Sequence, residues 1–162
     1  MPLSERLRSL LESHHVEFSI TIHPLAYTAR EVAVAEHLPA GEVAKTVVVF
    51  GDGEYRMLVV PASKVVDLYG VRSALGFTQL RLAAETELEQ LFPDCELGAM
   101  PPIGALYGLP VYLDSAIAAS PALAFNAGNH REVIHMKMAD FRNLVQPTVV
   151  SLVREPAMHQ GW

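Results

Sequence analysis

A chain of 162 residues, half of it apolar and under a fifth charged, is about the size of one ordinary domain, and its composition is globular rather than disordered. Its formal net charge of −6 excludes a protein that tracks long stretches of nucleic acid, because such proteins need a basic surface to neutralise phosphates. A small, focused grip on one or two phosphates stays open. No apolar run reaches the ~18 residues that cross a bilayer, and Met1-Pro-Leu-Ser-Glu-Arg6 lacks the basic-then-apolar pattern of a secretory signal. The lone cysteine, Cys95, excludes an intrachain disulfide and fits a reducing compartment, so the expected location is cytoplasmic.

Leu3, Leu7, Leu10 and Leu11 recur at helical spacing behind Ser4 as N-cap, predicting a helix to about His14-His15. Val16-Glu-Phe-Ser-Ile-Thr-Ile22 alternates at period two and reads as a strand, broken by His23-Pro24. Thr28-Ala-Arg-Glu31 is a capping box opening a short helix to about His37. Ala44-Lys-Thr-Val-Val-Val-Phe50 and Tyr55-Arg-Met-Leu-Val-Val-Pro61 are strands, joined by the hairpin signal Gly51-Asp-Gly53. Residues 63–75 read as a helix bent near Gly70, followed by a short strand over 79–82. Thr86-Glu-Leu-Glu89 is a second capping box, and its helix stops before Pro93. Gly98-Ala-Met-Pro-Pro-Ile-Gly104 is a stiff loop. Three strands follow, at 111–114, 122–125 and 132–137, the last two joined by Asn126-Ala-Gly-Asn-His130. A terminal helix over 139–145 comes next, and 149–153 is either an edge strand or an interface. Strands and helices mix without strict βαβ alternation, which predicts an α/β or α+β domain with a mixed sheet. No internal repeat or linker divides it. The domain is expected to span 1–146, with 147–162 as a C-terminal extension, partly an edge strand and partly disordered.

Four places exceed what packing requires. Lys45 opens an apolar strand, where it either snorkels its ammonium to water or presents a point charge to a phosphate or carboxylate. The 98–104 loop is either a tight connection or a preshaped backbone whose amides converge on a carbonyl. Asn126-Ala-Gly-Asn-His130 is ordinary turn chemistry, except that a hairpin tip leaves His130 able to face a cleft. His23-Pro-Leu-Ala-Tyr-Thr28 leads into a helix N-terminus that favours an anionic or polar group, although Thr28 already serves as a cap. His14, His15 and His37 read as structural. His130 and His135 make a poor metal pair, with neither a helical His-x-x-x-His nor a cysteine cluster. Cys95 has no histidine near in sequence to activate it, and no Gly-x-Ser-x-Gly or phosphate-loop motif occurs.

The order of these segments carries a resemblance. His23-Pro24, Tyr27-Thr28-Ala-x-Glu31-Val32-Ala33, His37 and Val43-Ala-Lys-Thr-Val-Val-Val49 resemble the opening of the YbaK-like aminoacyl-tRNA deacylase family. That family comprises the editing domain of bacterial prolyl-tRNA synthetases and its freestanding relatives. Met57-Leu-Val-Val-Pro-Ala62, the Gly98-Ala-Met-Pro-Pro102 loop and Phe125-Asn-Ala-Gly-Asn-His130 continue the likeness, which covers about residues 15–146. It implies a mixed, partly barrel-like sheet flanked by helices. It also implies a freestanding hydrolase that cuts the ester of mischarged aminoacyl-tRNA without a cofactor, a metal or a protein nucleophile.

By position, Lys45 matches the lysine that holds the phosphate next to the terminal adenosine, and Gly98 begins the loop that orients the scissile carbonyl. His130 matches the residue that gates the side-chain pocket. His23 and Tyr27 would line the opposite wall, with Thr28, Met100, Pro102 and Gly128 also against substrate. On this expectation a positioned water attacks the ester, and backbone donors stabilise the oxyanion by roughly 3–4 kcal/mol each. The apolar Met100-Pro-Pro-Ile103 segment suggests a tight pocket for a small side chain, with alanine the expected one. An acidic freestanding domain would depend on a synthetase or elongation factor to present the acceptor end, and would itself be a monomer or weak homodimer. The alternatives are a non-catalytic module that binds a tRNA end or nucleotide, and a metal hydrolase, which a chelator would disable.

Overall fold

The computed structural model describes residues 5–22, 29–36 and 38–154. In chain order these form α1 (Glu5–Ser13), β1 (Phe18–Ile22), α2 (Ala29–Ala35), β2 (Ala44–Gly51), β3 (Glu54–Pro61), β4 (Val65–Val66), α3 (Leu68–Leu75), β5 (Leu80–Leu82) and α4 (Glu85–Leu91). There follow β6 (Val111–Asp114), α5 (Ser115–Ala118), β7 (Ala122–Asn126), β8 (Glu132–Lys137), α6 (Met138–Val145), β9 (Thr148–Val150) and β10 (Val153–Arg154). Strands β5-β2-β3-β6-β9 make a mixed five-stranded sheet, β1-β8-β7 an antiparallel three-stranded one, and β10 pairs with β4. A parallel bridge between Val43 and Ala124 links the two larger sheets at the start of β2. The mixed sheet flanked by helices is the expected one. Among the described residues no sheet closes into a barrel.

The β2–β3 hairpin forms because Asp52 and Gly53 both take positive φ, 48° and 86°, the twist a two-residue turn needs. Alternation then splits its side chains between two cores. Val48, Met57 and Val59 join Leu7, Leu11, Ile103, Leu113, Phe125 and Phe141 in the main core. Val49, Leu58 and Val60 pack with Val71 and Leu152 on the opposite face. A third cluster (Val32, Ala33, Val43, Ala62, Ala124 and Val133) lies where α2 covers the join between the sheets.

Three expectations need correction. Residues 63–75 are not one bent helix: β4 precedes α3, and the Asp67 carboxylate caps α3 by accepting from the Gly70 amide at 3.0 Å. Gly70 is clearance for that cap and no hinge, since a Cβ there would stand 2.5 Å from Asp67 Oδ2. The second capping box is displaced: α4 starts at Glu85, and Glu87 reaches back to the Ala84 amide at 2.7 Å. The short helix α5 went unforeseen, because four residues show no periodicity. The Ser4 and Thr28 caps fall outside the described residues.

Beyond α6, β9 is the outer strand of the five-stranded sheet, pairing with β6 in parallel. Asp114, 1 % exposed, fastens this segment: its Oδ1 accepts from the Leu152 amide at 2.8 Å and its Oδ2 from the Ala116 amide at 3.0 Å. Asp114→Ala would uncap α5 and leave the buried Leu152 amide without its acceptor. Denaturant unfolding should show a loss of about 2–4 kcal/mol, a cap's worth plus an unsatisfied donor.

Candidate active site

The 98–104 loop and the 126–130 turn, separate in sequence, are zipped together by backbone. Glu96 donates to the Gly128 carbonyl at 2.7 Å, and the Gly128 amide to the Ala99 carbonyl at 3.0 Å. Gly98 and Gly128 both hold positive φ, 84° and 94°, the left-handed region that glycine enters without steric cost. The His130 amide donates to Glu96 Oε1 at 2.9 Å, and His130 Nε2 lies 2.7 Å from the Leu97 carbonyl. A carbonyl only accepts, so Nε2 carries a proton and the tautomer is set. The imidazole, 6 % exposed, stands under the glycine: a Cβ on Gly98 would meet its Cε1 at 3.6 Å. Desolvation opposes the Glu96 charge, yet hydrogen bonding that includes the His130 amide holds the carboxyl below its usual range. Asn129 closes the turn, its Oδ1 accepting from the Arg131 and Glu132 amides at 2.9 and 2.8 Å.

Lys45 lies on β2, whose lead-in residue meets β7. Val43 bridges Ala124 in parallel, and both belong to the cluster under α2. The two-residue period of a strand puts Lys45 and Asn126, each two positions further on, on that same face. The Lys45 stem is half-buried, and Nζ donates to the Lys64 carbonyl at 3.1 Å. Its ammonium therefore lies beside the segment that follows β3.

A family model described as the aminoacyl-tRNA editing domain matches residues 23–144. The chain belongs to the aminoacyl-tRNA editing domain family. The resemblance of the motif order holds, and the chain is a hydrolytic editing enzyme, an aminoacyl-tRNA deacylase. The multifunctional Ser/Thr-tRNA deacylase ProXp-y of Escherichia coli (strain K12) is 27 % identical over 155 residues, covering 93 % of this chain and 92 % of its own. The crystal structure of a candidate trans-editing enzyme for prolyl-tRNA synthetase superposes with a TM-score of 0.82 at 25 % identity, covering 95 % of this chain and 98 % of that one. The crystal structure of a hypothetical protein reaches 0.83 at 16 % identity over 93 % and 100 % of the two chains, a likeness of fold.

Other residues of this editing domain divide between support and bystander. Pro101 and Pro102 are buried, while Met100 and Ile103 belong to the main core, so the apolar part of the loop anchors it from below. A Cβ on Gly128 would sit 3.6 Å from Cys95 Sγ, which places the thiol behind the turn. Burial is the main cause that pushes the Cys95 thiol up to about 12. So raised, the thiol stays protonated at neutral pH and is a poor nucleophile. Iodoacetamide should therefore label native protein far more slowly than denatured protein, with deacylation intact after the incubation.

His135 points elsewhere: its Nε2 lies 2.9 Å from Glu36 Oε1 and 2.9 Å from Thr21 Oγ1, and Thr21 also donates to Glu36. One nitrogen serves both partners, so this is a strut between α2, β1 and β8 rather than a relay. No group of three potential metal ligands occurs among the described residues. Within those residues, no helix is long and apolar enough to cross a membrane. His23, Tyr27 and Thr28 lie outside the described residues. Sequence reading passed over Glu96, whose only signal was a carboxylate two positions before the loop glycine, and Asn126, which looked like ordinary turn chemistry.

Proposed function

We propose that this chain edits in trans, hydrolysing the ester between a small amino acid and the terminal adenosine of a mischarged tRNA, with Lys45, Gly98 and His130 at the centre of the site. The observation that carries the reading is the pair of backbone hydrogen bonds joining the 98–104 loop to the 126–130 turn, with the His130 ring wedged beneath Gly98. Such an arrangement holds a backbone amide in place before substrate arrives, which is what stabilising a developing oxyanion requires. The Ala99 amide is committed to the Glu96 carbonyl at 3.0 Å, so the substrate carbonyl falls to the Gly98 N–H. Lys45 supplies the point charge for the phosphate of the acceptor end. His130 acts through Leu97 and Gly98 as a positioning residue and closes one side of the amino-acid pocket.

Water, held against the loop and a ribose hydroxyl, attacks the ester carbon. The tetrahedral oxyanion forms at the Gly98 amide and then collapses, returning the alkoxide of the adenosine as a hydroxyl and releasing the free amino acid. His23, Tyr27 and Thr28 complete the opposite wall. Gly128 shapes the near wall, with Met100 and Pro102 supporting it from the core beneath. The acidic chain gains little from general attraction to RNA, so a synthetase or elongation factor in the cytoplasm delivers the substrate. A deacylation panel of mischarged tRNAs, with and without chelator, tests the reading. Chelator-insensitive release of a small amino acid is expected. Release of none overturns it in favour of a binding module, and chelator sensitivity overturns it in favour of a metal hydrolase.

A further inference from the structure

Glu96 holds both halves of the site. Its N–H donates to the Gly128 carbonyl at 2.7 Å, its carbonyl accepts from the Ala99 amide at 3.0 Å, and its Oε1 accepts from the His130 amide at 2.9 Å. The Ala99 bond closes a four-residue turn over 96–99. Gly98, the third residue of that turn, has φ 84° while Leu97 keeps negative φ, so the turn is type II. Its central peptide, between Leu97 and Gly98, has two orientations. Glycine takes either sign of φ, so the residue that permits the type II form also leaves the peptide free to flip to type I. The peptide is trans, and its C=O and N–H point in opposite directions. The His130 ring selects one orientation: Nε2 lies 2.7 Å from the Leu97 carbonyl, which turns the Gly98 N–H away from the ring. A flip would put the Leu97 carbonyl oxygen, a partial negative charge, where that N–H had pointed.

We propose that Glu96 is a positioning residue for deacylation: by gripping the His130 amide it seats the ring that keeps the Gly98 N–H aimed at the substrate carbonyl. This rests on the editing reading above. Asn129 fixes the next two amides, of Arg131 and Glu132, from within the turn. Of these three amides only that of His130 depends on a distant residue. A carboxylate accepting from an amide makes a charge-assisted bond, stronger than a bond between neutral groups. The same residue also pins the loop to the Gly128 carbonyl, so ring and peptide are referred to one frame. Loss of the grip leaves the ring free to drift from the Leu97 carbonyl, and the peptide then divides its time between an orientation that stabilises the oxyanion and one that repels it.

The test measures kcat and KM of Glu96→Ala, Glu96→Asp and Glu96→Gln on whichever ester of the tRNA panel the wild-type protein releases fastest. E96A should lower kcat about 10- to 100-fold, the population shift that one charge-assisted hydrogen bond holds back, with KM within a few-fold of wild type. E96D, whose carboxylate stops about 1.5 Å short, should share that loss. E96Q keeps an acceptor oxygen in place and should stay within a few-fold of wild type. In a His130→Ala background E96A should cost little more, because the two residues act through one contact. A residue that serves stability alone would lower the melting temperature and leave kcat of the folded protein unchanged. That result overturns the assignment, as do an E96Q as slow as E96A and additive losses with His130→Ala. Should E96A fail to fold, the contrast between E96D and E96Q decides. Turnover of no ester by wild-type protein overturns the editing reading itself.

Discussion

Replacing Lys45 with alanine should lower kcat/KM for deacylation by about 10- to 100-fold while the fold survives. A hydrogen bond to a charged group is worth about 1.5–3 kcal/mol, and each ~1.4 kcal/mol is a factor of ten in rate. What the protein itself loses is smaller. The ammonium donates to the Lys64 carbonyl at 3.1 Å, a contact that partial exposure discounts to about 1 kcal/mol net, and the half-buried stem adds a little packing. Lys45→Met keeps that stem and removes the charge, so it should show nearly the full loss of activity with less loss of stability. Lys45→Arg restores charge but spreads it over a planar fork, and should recover activity only in part. The signature is a KM effect that shrinks as salt is raised, because screening weakens the contact in wild-type protein and has nothing to weaken in the variant. Near wild-type kcat/KM in Lys45→Ala would move the phosphate anchor elsewhere.

How far the sequence exposes this site differs from residue to residue. Lys45 is conspicuous because a lysine before Thr-Val-Val-Val-Phe breaks an apolar run, and the hairpin that carries it follows from Gly51-Asp-Gly53. Gly98 is conspicuous for the prolines that follow. The union of these places is not legible from pattern, because it depends on long-range pairing. The Val43–Ala124 bridge and the Gly128–Ala99 bond join segments dozens of residues apart, and no local period encodes them. Pattern also misjudged Met100 and Ile103, whose side chains belong to the core, since apolar character alone does not distinguish a pocket wall from a buried anchor. Helix boundaries slipped where a cap competes: Asp67, and not Ser63, starts α3, and only the clearance at Gly70 reveals why. Asn126 escaped notice because asparagine in a turn is unremarkable until its side-chain oxygen proves to be buried without a partner among the described residues.

Gly98→Ala should separate shape from stability. At φ 84° a residue with a Cβ costs about 1–2 kcal/mol, which for a chain of this size lowers the melting temperature by several degrees. Sterics add little, because the new Cβ would meet His130 Cε1 at 3.6 Å, an ordinary contact. Gly104 makes a different demand, since a Cβ there would stand 2.3 Å from the Leu109 carbonyl oxygen. The Gly98 variant is therefore expected to fold. Its activity should fall by about 10²–10³-fold, the loss seen when one oxyanion donor is removed. The alanine relieves its strain by rotating φ, and that rotation turns the 98 N–H away from the point where charge develops. The loss should fall on kcat and kcat/KM together, because an interaction made only in the transition state has no share in ground-state binding. A folded Gly98→Ala protein with unchanged kcat would detach this amide from the reaction. The His130 wedge would then be a device of stability alone.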